Sequence, residues 1–204
     1  MFVPSQKLYT AEPGLIIGFH GCDQFVRDAV ASGRDVLWKS ENEYDWLGHG
    51  YYFWQNNFER AFEFASHPPG KPVSERPAVL GAVLSLGNCL DLTDKKCIKV
   101  VEDIYREFSL TRFIEDKTLS TNKSIGDSPD LLLRNLDCEV LEFLHAKMKR
   151  ENVPPYDSVR GVFVEGKPIF EGAGIYDKTH AQICIRNPNC ILGYFVPRER
   201  VAWP

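Results

Sequence analysis

The chain has 204 residues, of which 12% are aromatic and 25% charged, with a formal net charge of −4. A chain of that length buries roughly 70% of its unfolded surface in one core, so a single domain over 1–204 is expected. No apolar run approaches the roughly 18 residues of a membrane span, and the acidic balance offers polyanions no long-range attraction, although Lys147, Lys149, Arg150 and Arg186 can form a local basic patch. The opening MFVPSQKLYT has neither a basic start nor an apolar core, so no secretion signal and a cytoplasmic location are expected. Six scattered cysteines without a CxxC pair read as free thiols, not as a disulfide framework or a zinc site.

In chain order, LIIGFHGC (15–22) has the β-branched and aromatic density of a buried strand. Asp23 stands where an N-cap belongs, ahead of Phe25, Val26, Ala29 and Val30 at helical spacing, with Gly33 as the stop. YYFW (51–54) reads as a short strand, and Asn56 or Asn57 caps a helix through FERAFEFA. AVLGAVLSL (78–86) is a strand, and GNCLDL its end or a turn. Ile98, Val101, Ile104, Tyr105 and Phe108 recur at helical spacing, and so do Leu132, Leu133, Leu136, Val140, Phe143 and Leu144, with the polar LSTNKSIGDSPD as a loop between them. VRGVFVE, AQICIRN and ILGYFVP return to strand patterns. Strands at both ends with helices between them predict a mixed α+β fold with mainly antiparallel strands and a mostly helical middle over 93–158.

Two stretches suggest chemistry. In GFHG (18–21) a histidine at a strand end can project into a cleft, and the glycine after it lets a ligand approach the backbone. In GHGYYFW (48–54) two glycines precede adjacent aromatics that alternate between the faces of a strand. A satisfied strand-end histidine and a core aromatic pair are the bland alternatives.

The order of three segments resembles the diphtheria-toxin-like and poly(ADP-ribose) polymerase-like ADP-ribosyltransferases. GFHG is similar to that family's strand-His-Gly, GHGYYF to its Gly-x-Gly-Ile-Tyr-Phe, and VLGAVLSLGNCLDL to its following strand; AQICIRN takes the place of the strand with the third catalytic position. The resemblance covers 15 to about 92 and that last strand. It implies two small, mainly antiparallel sheets forming an NAD cleft, flanked by helices. His20 would bond the adenosine ribose, Gly21 would hold the nicotinamide carboxamide through its backbone, and Tyr52 would stack on the nicotinamide ring. A second ring wall falls to Phe62 or Phe64. No metal is implied, and NAD enters as substrate.

Where the family carries a catalytic glutamate, this chain has Gln182. An amide accepts the same hydrogen bond without charge and cannot act as a base. It removes stabilisation from an oxocarbenium-like state, a loss of about 10²–10³ in rate by analogy. The resemblance therefore implies mono-ADP-ribosyl transfer to a macromolecular acceptor, protein or nucleic acid, with an inert NAD-binding module or an NAD glycohydrolase as alternatives. Glu165, Glu171 and Asp177, in the loop before this strand, are candidate substitute acids, and His180, on the same strand face as Gln182, is a candidate acceptor contact. His49, inside GHG, has an equally open role. A short transferase of this kind, without accessory domains, is expected to be a toxin or defence effector.

Overall fold

The computed structural model describes residues 14–68, 74–125 and 130–199. Strand β1 (Ile16–Asp23) runs directly into α1 (Gln24–Ala31), because the Asp23 carboxylate accepts from the Phe25 N–H and caps the helix. Strand β2 (Tyr51–Gln55) leads through Asn56, at φ 49°, into α2 (Phe58–Ser66), whose cap is the Asn57 side chain accepting from the Arg60 N–H. After β3 (Pro77–Leu84) and β4 (Cys89–Asp91), Asp94 caps the long α3 (Lys95–Ile114). Two short strands, β5 (Asn122–Lys123) and β6 (Leu133–Arg134), precede α4 (Asn135–Arg150). Strands β7 (Ser158–Phe163), β8 (His180–Ile185) and β9 (Ile191–Phe195) complete the chain's described elements.

The helix expected from Leu132 onward begins later. Leu133 is extended against Lys123, and α4 has no side-chain cap of its own at Arg134. Asn122 supplies one from β5, its Oδ1 accepting from the Leu136 N–H at 3.0 Å.

Seven strands form one sheet in the order β4-β7-β8-β2-β1-β3-β9, and β5 and β6 form a separate ribbon. The fold is mixed α and β, with antiparallel pairing throughout the large sheet except between β4 and β7, which the α3–α4 segment connects. Two small sheets were the sequence expectation, and the large sheet corrects it: β2 pairs with both β1 and β8 and joins the halves. The join is narrow. β1 matches β3 at eight register positions but β2 at only two, Gly18 with Gln55 and Phe19 with Trp54.

Each sheet face buries its own core. Ile16, Phe53, Leu80, Leu84, Ile183 and Ile185 pack on the face covered by α1. On the other face Leu47, Leu90, Leu141, Val159 and Cys184 pack under α3 and α4 with Phe108. The alternation of β8 sends Ile183 and Ile185 one way and His180, Gln182 and Cys184 the other. Fully buried side chains such as Phe53, Leu80 and Ile183 each stabilise the fold by about 1.5–3 kcal/mol, which fixes the strand register. Among the described residues no helix is long and apolar enough to cross a membrane.

Candidate functional site

The β1–β2 ladder stops at His20. Its register would next pair His20 with Phe53, but the imidazole turns into the gap and Nδ1–H donates to the Tyr52 carbonyl oxygen at 2.9 Å. A side chain thus replaces the backbone ladder, and the two strands part. With Nδ1 protonated, the neutral ring keeps Nε2 as an acceptor. Burial holds its pKa below the usual histidine value, against the smaller effect of the carbonyl bond.

Beside this split lies a cavity of about 310 Å³ lined by side chains from β1, β2, α2, β7, β8 and the loop before β2. His20, Gly21, Tyr52 and Gln182 all line it. Gly21 also has a packing reason to be glycine: a Cβ there would stand 2.1 Å from the Ala61 carbonyl oxygen of α2. The Tyr52 hydroxyl is spent locally, accepting from the Leu47 N–H at 2.9 Å and donating to the Gly48 carbonyl at 2.8 Å. These bonds fix the ring and leave its face as what Tyr52 can offer a ligand. Its pKa is raised well above the usual tyrosine value by burial.

Gln182 is 9% exposed, and its Oε1 accepts from the Trp46 indole N–H at 2.6 Å. Indole nitrogen is only a donor, so this bond sets the amide orientation and leaves the NH₂ side of Gln182 for the cavity. One of the two lone pairs of the Gln182 carbonyl oxygen is therefore taken by Trp46. Trp46 reaches it by lying over β7, where a Cβ on Gly161 would come within 2.7 Å of the indole. Trp46 further packs edge-on against Phe163, and the Arg134 guanidinium lies over both rings, 5.3 and 4.1 Å from their centroids.

Phe64 of α2 lines the cavity and packs on Trp54, with centroids 5.0 Å apart. Phe62, the other residue expected as a ring wall, stacks on Phe58 outside it, because the two residues from Phe62 to Phe64 turn the side chain by about 200° around the helix. Arg60, one turn before Phe64, points into the cavity with it and donates through Nη2 to Glu165 Oε2 at 2.7 Å. His180 is 6% exposed, stacks on Phe163 and donates from Nδ1 to the Lys178 carbonyl at 2.7 Å.

Of the three candidate acids, Glu165 alone lines the cavity. Glu171 is exposed, and Asp177 accepts from the Lys167 N–H, bracing its own loop. His49 lies outside, where its N–H donates to Glu142 Oε1 and its carbonyl accepts from Arg186. That ion pair clamps the Gly48–His49 turn and takes Arg186 out of any basic patch, while Lys147 is paired to Glu107 and Glu151. The middle segment does reach the cavity, through Ile125, Leu132 and Leu133 instead of its basic helix end. Arg60, Trp46 and Phe163 carry no motif that singles them out, whereas Trp54 closes the GHGYYFW stretch.

His145 and His180 are both buried and both pushed down to about 4 by burial. The unfolded chain therefore binds more protons than the native one between pH 6.5 and 4, so their stabilising contribution is complete above 6.5 and is lost as pH falls through 4. A shift of this size corresponds to roughly 3 kcal/mol per histidine. Glu165, raised by burial against the pull of Arg60, acts in the opposite sense. Urea titrations at pH 7.5 and 4.5 should show a large loss of stability at the lower pH, and His145→Phe should flatten it.

The site stands on these interactions alone: no family model matches the chain, and neither a curated protein nor a solved structure is similar to it. Among the described residues no group of three or more His, Cys, Asp or Glu side chains converges to hold a metal ion.

Proposed function

We propose that the cleft binds NAD and that the chain is an NAD-dependent mono-ADP-ribosyltransferase, releasing nicotinamide and passing ADP-ribose to a macromolecular acceptor. The observation that carries this is the convergence of His20, Tyr52 and Gln182, from three different strands, on one cavity with aromatic walls. Each has a fitting role. His20 Nε2 accepts from a ribose hydroxyl, the fixed Tyr52 ring stacks on the nicotinamide with Phe64 and Trp54 nearby, and the Gln182 NH₂ donates to a ligand oxygen. No charge sits at Gln182 to stabilise the cationic sugar, which supports single transfer and slow turnover over chain growth.

A second reading, an NAD-binding module without chemistry, is favoured by the Trp46–Gln182 bond, which ties up the residue in the catalytic position. Labelled NAD incubated with the pure protein and cell lysate, then with the protein and nucleic-acid fractions separately, decides between them. Nicotinamide release with label on one fraction is the transferase result, and the labelled fraction identifies the acceptor. Release with all label in free ADP-ribose means hydrolysis. Binding without release means the module.

A further inference from the structure

Three groups meet at the end of the cavity farthest along β8 from Cys184. The Arg60–Glu165 ion pair is 14% and 16% exposed, and Glu165 Oε2 lies 4.0 Å from His180 Nδ1. Among the described residues Glu165 Oε1 makes no hydrogen bond, and His180 Nε2 is buried without a partner. Since His180 Nδ1–H donates to the Lys178 carbonyl, Nε2 is a second acceptor, so the corner holds two acceptor atoms lacking a hydrogen. Arg60 Nε and Trp54 Nε1 are buried donors with no partner either.

Asp45, the other carboxylate of the cavity, is already engaged by the Asn42 backbone and side chain. Glu165 is thus the carboxylate with a free oxygen. His180 and Gln182 share one face of β8 and stand roughly 6–7 Å apart, which puts the corner next to the position Gln182 occupies. The charges of Arg60 and Lys178 are balanced by Glu63 and Glu165, so nothing there draws an anion.

We propose that the Glu165–His180–Arg60 corner is the acceptor subsite and that Glu165 takes the proton of a protic nucleophile, an O–H or N–H group, an inference that rests on the transferase reading above. A carboxylate acceptor does not fit: it has no hydrogen for Glu165 and would be repelled by it. In the step, the bond between ribose C1′ and the nicotinamide nitrogen breaks and its electron pair leaves with neutral nicotinamide. The nucleophile's lone pair forms the new bond to C1′, and its proton passes to Glu165 Oε1 and on to solvent. His180, neutral because burial lowers its pKa to about 4, adds no charge beside the carboxylate, and its enclosed Nε2 leaves the nucleophile's hydrogen to Glu165. Arg60 holds the carboxylate in place.

The test uses the full chain with NAD and two small nucleophiles, water and azide. Azide carries no proton to lose and needs no base. Glu165→Gln is expected to bind NAD within about twofold of wild type by calorimetry, to lose about 100-fold in nicotinamide release to water, and to lose the acid limb of its pH profile. Sodium azide should restore release and yield ADP-ribosyl azide. If Glu165→Gln does not fold beside Arg60, Glu165→Ala, which removes the base and its charge and leaves room for azide, is read against the same outcomes. Release to water at the wild-type rate overturns the proposal, as does a loss that azide does not rescue while NAD still binds. Wild-type protein that releases no nicotinamide overturns the transferase reading and this inference together, whereas failure confined to the variants leaves that reading standing.

Discussion

The Gln182→Glu variant is expected to release nicotinamide from NAD faster than wild type, by a factor on the order of 10², and Gln182→Ala to release it more slowly. A glutamate can keep the Trp46 indole bond with one carboxylate oxygen and turn the other, with its charge, toward the ribose. Charge at that point acts on the developing cationic sugar whatever nucleophile follows, so the gain should appear in release to water as well as in transfer. Alanine removes the NH₂ donor and also leaves the Trp46 N–H, now bonded at 2.6 Å, without an acceptor. A buried orphan of that kind costs about 1–3 kcal/mol and frees the indole to shift over Gly161. The two variants must therefore move in opposite directions in a nicotinamide-release assay, with thermal melts confirming that both fold. Wild-type rates from both would remove Gln182 from the reacting centre.

His20→Ala and Tyr52→Ala are each expected to weaken NAD binding by about 1–3 kcal/mol, from roughly fivefold to a hundredfold in Kd. For His20 the loss is the Nε2 acceptor together with the ring that holds β1 and β2 apart through the Tyr52 carbonyl. For Tyr52 it is the stacking face. Tyr52→Phe separates the ring from the hydroxyl: it keeps the face but orphans the Leu47 N–H, so it should cost stability while binding NAD nearly as well as wild type. Calorimetric titration and urea unfolding on the same three proteins check the pattern. Unchanged affinity in folded His20→Ala and Tyr52→Ala would place the ligand elsewhere.

Local chemistry made much of the fold legible. Asp23, Asn57 and Asp94 cap their helices with their own side chains, within three residues of the N–H groups they satisfy, so the signals lie in contiguous sequence. Where the cap comes from elsewhere, as Asn122 does for α4, contiguous sequence shows neither the helix start nor the short strand that supplies the cap. The single sheet is not legible in the sequence for a similar reason. Each strand shows its period of two, but which strand it pairs with depends on contacts between distant segments, and β2 has a partner on either side.

The sequence by itself determined the types of the main strands and helices and the presence of His20, Tyr52 and Gln182 in segments of the right character, because these depend on neighbours a few residues away. Tertiary structure alone decided that the three share one cavity, that Phe64 and not Phe62 faces it, that Glu165 is the acid that reaches it, and that Trp46 holds the Gln182 carbonyl across a separation of 136 residues. A hydrogen bond between side chains so far apart in the chain leaves no periodicity or spacing to read. It exists only once β7 and β8 pair and Gly161 makes room for the indole.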